Sequence, residues 1–452
     1  MHGTIPNVVL CHGVWDLLHL GHIRHLQEAR EMGDRLVVSV TSDRYANRGI
    51  GRPHFNQAQR MEAISALSCV DEVVLNDAPN AVPILWLLKP AVYVKGIDYE
   101  GSDDSNLKLE AEAVESHGGR LHVTQSAKWS SSRLLNEHRL DDEAIEFLDY
   151  ARQAQYREAI LSAFEHADKL KFAFVGETIL DEYRYVHAIG KPSKEYTLAT
   201  VHERYEQFEG GVIAASRHAE WPNVEIVTSR TITKTRFVDA DFTRKLFEVY
   251  SDRRLGLDDY ERGEFNFRLG CAVDEADVVV VFDFGHGLIG DSERAVIGTA
   301  KFLAVNAQSN AGNFGFNPVS RYSKADMVCV DDPEARLACG LQHDSIRTVI
   351  QSLALQMPSC ERFIVTHGRN GCLSYESSKL AKIPAFAANG VDTMGAGDAF
   401  LAVAAPLAAV GLPLEMAAFA GNVAGAIKIS IVGHRRHVER NELIGTIETL
   451  LK

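Results

Sequence analysis

Residues 8–22 read Val-Val-Leu-Cys-His-Gly-Val-Trp-Asp-Leu-Leu-His-Leu-Gly-His. Val8–Cys11 is a short apolar, β-branched run, which predicts a buried strand. Gly13 marks the turn at its end. From Gly21 to Met32, Ile23, Leu26 and Ala29 recur at helical spacing with charges on the other face. The pattern then repeats. Strands are expected at Arg35–Thr41, Glu72–Leu75, Ala91–Lys95 and Arg120–Thr124, and helices at Gln57–Leu67, Val82–Leu88 and Leu107–His117. Strand–helix alternation with short connections implies a parallel, doubly wound, Rossmann-like sheet. In such sheets the ligand sits beyond the carboxyl ends of the strands. Attention therefore falls on the residues after Cys11, after Thr41 and around Lys95.

His19 and His22 stand where the first helix begins. Backbone N–H groups there favour an anion, and imidazoles add donors that follow charge developing on a phosphoryl group. Read alone, the pair is as well explained by a helix cap and a satisfied polar side chain. Context favours the chemical reading: Ser131 and Ser132 precede a second helix start, and Lys95 brings a cation to a strand end.

These residues resemble the cytidylyltransferase-like nucleotidyltransferases, whose mark is HxGH after a first strand. The likeness covers nearly all of 7–138. Within that group it is nearer to the adenylyltransferase domains of the bifunctional heptose-phosphate kinase/adenylyltransferases. It rests on the G-x-W-D-L-L-H-x-G-H run, Thr41-Ser42-Asp43, Gln59-Arg60 and Val94-Lys95-Gly96-x-Asp98-Tyr99. The resemblance implies that His19 and His22 stabilise the pentavalent transition state. It gives Lys95 the task of neutralising phosphate charge. Gly13, Asp16, Ser131 and Ser132 would hold the nucleotide.

The chain has 452 residues, above the size at which one core stops growing, so at least two domains are expected. Residues 1–139 form the first. Residues 140–168 carry no strand signal and lack Gly and Pro; they are expected as a helical connector. Residues 169–452 return to α/β alternation from Lys171 onward, with strands at 224–229, 235–239, 245–250, 277–284, 302–306, 327–330 and 363–366. Trp86, inside an apolar helix, is expected in the core.

In this second domain Asp392-Thr-Met-Gly-Ala-Gly-Asp398 precedes a long apolar helix. Small residues at a helix start leave backbone N–H groups open to a phosphoryl oxygen, and an Asp beside them can accept a proton from an attacking hydroxyl. This run resembles the ribokinase-like carbohydrate kinases over about 171–435. The resemblance implies that Asp398 is the catalytic base and that Gly395, Ala396 and Gly397 form the anion hole. Thr366, Gly368 and Gly371 would bind nucleotide. Glu334 would organise Mg²⁺ through water in the family's manner, and Asp181, Gly210 and Gly211 would bind sugar. Ala214 stands where the family carries a sugar-binding Asn. Asn306 to Asn313 is an unusual amide-rich run, and Arg204, Lys234 and Arg236 are candidate phosphate contacts.

The implied enzyme phosphorylates a sugar or sugar phosphate with ATP and Mg²⁺. It also transfers a nucleotidyl group, AMP favoured, to a sugar 1-phosphate, with pyrophosphate released. The familiar heptose enzyme has its domains in the opposite order. An alternative is a transferase that uses CTP and a polyol phosphate, joined to a ligand-binding kinase-like domain without activity. The formal charge of −14 argues against a nucleic-acid partner, which calls for clustered Lys and Arg. The stretch 399–419 is broken by Pro406, Gly411 and Pro413 and reads as buried helices, not a membrane span. No signal peptide is evident. Seven scattered Cys residues without a CxxC pair fit a reducing cytoplasm. The kinase resemblance implies a homodimer.

Overall fold

The computed structural model describes residues 7–46, 53–96, 105–124, 140–189, 198–242, 244–252, 255–387 and 390–452. The chain forms two compact units that divide between Arg139 and Leu140.

The first unit alternates β1 (Val8–Gly13), α1 (Leu20–Arg30), β2 (Arg35–Thr41), α2 (Gln57–Ser65), β3 (Glu72–Asn76), α3 (Val82–Leu88), β4 (Val92–Lys95), α4 (Ser105–Glu115) and β5 (Arg120–Val123). The strands run parallel in the order β3-β2-β1-β4-β5. Successive residues of a strand point to opposite faces. Here both faces are covered: Val9, Cys11, Leu36 and Val38 pack with Leu26 and Ile64 on one side. Leu10, Val37 and Tyr93 pack with Ile84, Leu85 and Val114 on the other. That two-sided burial is why the strands read as continuous apolar runs. The order reverses between β1 and β4, which brings the end of β1 and Lys95 to one crevice.

Trp86 does not join this core. It is 51% exposed. In α3 the helical period turns Ile84 and Leu85 toward the sheet and leaves Trp86 and Leu87 outside.

In the second unit, residues 140–168, expected as a connector, form α5 (Asp142–Gln153) and α6 (Tyr156–Ala167). Both pack into this unit's own core. Phe147 lies 5.9 Å from the Phe419 ring and Phe164 stacks on Trp221 at 5.4 Å. The main sheet has the order β17-β16-β15-β14-β13-β12-β6-β9. Its members are β6 (Phe172–Gly176), β9 (Val224–Val227), β12 (Val278–Asp283), β13 (Leu303–Ala307), β14 (Met327–Asp331), β15 (Arg362–Thr366), β16 (Cys372–Glu376) and β17 (Lys379–Ile383). The last two strands are antiparallel to their neighbours and the rest parallel.

A second sheet, β11-β10-β7-β8, stands apart from it. It comprises β7 (Thr178–Ala188), β8 (Thr200–Gly211), β10 (Thr231–Asp239) and β11 (Lys245–Tyr250). Sequence reading did not find β7 or β8. In β8 the charges of His202, Glu203, Arg204, Glu206 and Glu209 fall on both faces, so no period-2 apolar signal exists. Pairing sets one face of this sheet: Lys234 lies opposite Asp181 and Tyr250, and Arg236 opposite Tyr183 and Glu248. The helices α7 (Val212–Arg217), α8 (Asp259–Glu275), α9 (Asp291–Ile297), α10 (Asp332–Cys339), α11 (Ile346–Gln356), α12 (Ala396–Ala409), α13 (Leu414–Lys428) and α14 (Arg440–Leu450) complete the unit. The apolar stretch 399–419 lies in the buried α12 and α13. Among the described residues no helix is long and apolar enough to cross a membrane.

Candidate active sites

In the first unit His19 caps α1. Its Nδ1 accepts a hydrogen bond from the Gly21 N–H at 3.1 Å. A neutral imidazole that accepts at Nδ1 carries its proton on Nε2. That Nε2 is buried without a hydrogen-bond partner, as is Nδ1 of His22. The two rings stack at 3.9 Å. Burial, then the neighbouring His19 and His25, push the His22 pKa down to about 3, and burial lowers His19 also. Both imidazoles are thus neutral near pH 7. A buried donor without a partner costs free energy, and a polar ligand at this helix start would recover it.

Lys95 ends β4, buried, with Nζ 2.9 Å from Oε2 of Glu110. Glu110 also accepts from the Tyr93 hydroxyl and the Ala81 N–H, each at 2.8 Å. Burial pushes the Glu110 pKa up, and the Lys95 ammonium with these donors more than offsets it, so the net shift is downward. Glu110 was not singled out in the sequence because it sits in an ordinary helix with no motif around it. Removing one partner of a buried pair costs about 3–5 kcal/mol. Glu110→Ala should therefore weaken amide-exchange protection in β1 and β4 by that amount, with less effect when Lys95→Met accompanies it. Unchanged protection in E110A would show that the pair stabilises nothing.

Gly13 has no left-handed backbone; the positive φ angles fall on Trp15 and Leu17. A Cβ at Gly13 would lie 3.2 Å from the Trp15 indole, so the glycine makes room for that ring, which donates to the Ser39 carbonyl at 3.0 Å. Asp16 accepts from the N–H groups of His54 and Phe55 at 2.8 and 3.1 Å. It anchors that loop, and a carboxylate is a poor phosphate ligand. Ser131 and Ser132 lie outside the described residues.

The second unit holds a cavity of about 920 Å³, within the range of small-molecule sites. It brings together Thr366, Gly368, Gly371, Gly395, Ala396, Gly397, Asp398, Glu334, Asp181 and Gly211 from distant parts of the chain. Gly395 adopts φ +70° and opens α12; a Cβ there would meet His434 at 2.9 Å. Gly371 has φ +80°, and a Cβ would strike the Ile383 carbonyl at 2.0 Å. Asp398 is half-buried in the first turn of α12. Desolvation pushes its pKa up to about 6, against the pull of His434 and Lys428. A carboxylate near that value suits a general base at neutral pH.

Glu334 and Asp331 form a reciprocal capping box at α10: the Glu334 N–H donates to Asp331 at 2.7 Å and the Asp331 N–H to Glu334 at 2.9 Å. The Ser309 N–H also donates to Glu334, at 3.2 Å. Burial, then the Asp331 charge, push the Glu334 pKa up to about 8. Crowded carboxylates on a cavity wall are relieved by a cation. No set of three metal-ligating side chains occurs among the described residues. Two adjacent carboxylates of this kind suit a divalent ion that phosphate and water oxygens also hold.

Asp181 is engaged by Arg236 and by His434, the latter at 3.4 Å. Gly210 lies behind it; a Cβ there would sit 2.3 Å from the Asp181 carboxylate. Gly211 needs its φ of +62°. Lys234, Arg236 and Lys245 reach the cavity, with Asn306, Gln308 and Asn310. Arg204 instead lies over the Tyr185 ring at 3.6 Å. Glu177, fully buried, accepts from the N–H groups of Phe284 and His286 at 2.9 Å each and so holds the loop that carries His286 to the cavity. None of Lys245, Lys428 and His434 stands in a motif that would have flagged it.

Both units have counterparts among known proteins. Residues 10–137 match the Cytidylyltransferase-like family model and residues 298–440 the pfkB family carbohydrate kinase model. The chain thus combines a cytidylyltransferase-like domain with a pfkB-type carbohydrate kinase domain. Among curated relatives, the Bifunctional protein HldE of Syntrophotalea carbinolica is 36% identical over 136 residues, 30% of this chain and 27% of that protein. That of Streptomyces coelicolor is 47% identical over 104 residues, 23% of this chain and 22% of that protein. The chain therefore spans about a quarter of the length of the relatives it matches. Phosphofructokinase-2 from Escherichia coli superposes with a TM-score of 0.50 at 14% identity, covering 63% of this chain and 100% of that one. This likeness shows that the second unit shares that protein's fold.

Proposed function

We propose that the chain is a bifunctional enzyme of nucleotide-activated sugar biosynthesis. In this reading residues 1–139 transfer a nucleotidyl group, AMP favoured over CMP, to a sugar 1-phosphate with release of pyrophosphate. Residues 169–452 phosphorylate a sugar or sugar phosphate with ATP. The observation that carries it is the pairing of two built anion sites. One has orphaned imidazole nitrogens at α1; the other has a Gly-Ala-Gly helix start beside a carboxylate with a raised pKa.

At the first site His19 and His22 would donate to the phosphate as its charge grows, while Lys95 offsets that charge. Ser131 and Ser132 would hold the triphosphate by resemblance. At the second, Asp398 would accept the proton of the attacking hydroxyl, and the first-turn N–H groups of α12 would hold the transferring phosphoryl group. Glu334 and Asp331 would hold Mg²⁺ through water, and the ion would neutralise phosphate charge. Lys234, Arg236 and Lys245 line the acceptor side of the cavity. Each is paired with a carboxylate, Lys234 with Glu248, Arg236 with Asp181 and Lys245 with Asp392, so this side offers both charges to the hydroxyl and phosphate groups of a sugar or sugar phosphate.

The direct test incubates the protein with ATP or CTP, Mg²⁺ and a panel of sugars and sugar phosphates, with ADP and pyrophosphate assayed separately. Absence of pyrophosphate with every acceptor removes the first activity, and absence of ADP removes the second.

We also propose that the enzyme is a cytoplasmic homodimer, joined through the outer face of the small sheet. Phe237 and Phe247 stack at 4.5 Å on that face, and Tyr205, Phe247 and Val249 are exposed. A second copy offers the same patch, as a two-fold interface requires. Light scattering should show a dimer at micromolar concentration, and Phe247→Asp should convert it to a monomer. A monomeric wild type would refute the dimer.

A further inference from the structure

Lys428 is fully buried at the C-terminus of α13, and the mechanism above leaves it without a role. Its Nζ donates to the Met394 carbonyl at 2.8 Å and to the Gly433 carbonyl at 2.7 Å. Met394 directly precedes Gly395, the first residue of the anion hole. A Cβ on Gly395 would lie 3.3 Å from Cε of Lys428, so the stem of the lysine runs against that glycine.

The same two loops are joined by other bonds. The Gly433 N–H donates to Asp392 at 2.9 Å, and the Val391 and Asp392 N–H groups donate to the Ile429 carbonyl at 2.8 and 3.1 Å. Asp392 further accepts from Lys245 at 2.9 Å and Tyr183 at 3.1 Å. The charges that face Lys428 are Asp392, Asp398, Asp181 and Lys245. Burial pushes the Lys428 pKa down to about 8, which leaves the ammonium charged at neutral pH.

A buried ammonium is costly unless it is paired and hydrogen-bonded. Here it sits between two carbonyl oxygens, at a helix C-terminus that favours positive charge, among three carboxylates. Carbonyl oxygens in such a cradle are also the ligands a free monovalent cation would take. We propose that Lys428 is a built-in monovalent cation of the second site: it fixes the 392–395 loop in the conformation that opens the anion hole and adds positive charge beneath it. Phosphoryl transfer by this chain then needs no dissolved potassium or ammonium ion. Lys428 is a positioning residue, since it acts through Met394 and Gly395.

This inference rests on the kinase reading for its effect on rate, but not for the cradle itself. Two readouts keep them apart: ADP formation and melting temperature, each in potassium, ammonium or sodium chloride at equal ionic strength. The wild type should give the same rate and melting temperature in all three. Lys428→Ala should lose about 10²-fold to 10³-fold in ADP formation, the scale of one anion-hole donor. Potassium or ammonium should restore at least about tenfold of that and raise its melting temperature above that in sodium. Lys428→Met, which fills the space without charge, should be slow and insensitive to the salt.

A wild-type rate or melting temperature that depends on potassium overturns the proposal without any variant. So does a Lys428→Ala protein of full activity, or one in which potassium and sodium act alike. If the wild type forms no ADP but Lys428→Ala is still stabilised selectively by potassium, the kinase reading falls and the cradle stands.

Discussion

Asp398→Asn should lose about 10²-fold to 10⁴-fold in ADP formation, the usual contribution of a positioned general base, with pyrophosphate release unchanged. Asn keeps the size of the side chain, so α12 should form as before, and only the proton acceptor is removed. The wild-type pH profile supplies a second arm. A base must be deprotonated to act, and desolvation pushes Asp398 up to about 6. As pH falls below that value the active fraction falls, so kcat/KM for ADP formation should drop about tenfold per pH unit. The acid limb should be missing from the residual rate of D398N. Equal loss of both activities in D398N would contradict two independent sites, and an unaltered acid limb would move the base elsewhere.

His22→Ala should have the mirror effect: pyrophosphate release falls by about 10²-fold to 10³-fold, the scale of one lost transition-state donor, while ADP formation is preserved. The reason is local. His22 Nδ1 is buried with no partner, and its ring stacks at 3.9 Å on His19, whose Nδ1 is already committed to the Gly21 N–H. A site with donors in place needs little reorganisation when charge appears. Full pyrophosphate release by H22A would reduce the pair to a helix cap and its neighbour.

Much of the first unit was legible because its signals are local. The three central strands of the first sheet, β1, β2 and β4, are covered on both faces, so each reads as a compact apolar run between amphipathic helices. The spacing of His19 and His22 is set within one turn of α1, and a linear motif carries it whole. Asp398 and the glycines before it are legible for the same reason. Trp86 was misplaced because apolarity does not say which side of a short helix meets the sheet. The strands β7 and β8 carry no clean alternation because charged residues fall on both of their faces: Asp181, Glu182 and Arg184 in β7, and Glu203, Arg204, Glu206 and Glu209 in β8.

The sequence by itself therefore determined two α/β units, the histidine pair at one helix start and the glycine turn with its carboxylate at another. These depend on residues within a few positions of each other, where chain geometry alone fixes the relation. What surrounds them was decided only by the tertiary structure. Glu110 meets Lys95 because α4 packs beside β4. Arg236 and His434 meet at Asp181 from strands and loops far apart in the chain. Lys428 reaches the Met394 carbonyl because α13 returns beneath the loop that opens α12. A buried charge is tolerable only where folding brings its partners from elsewhere, and no stretch of sequence contains that information on its own.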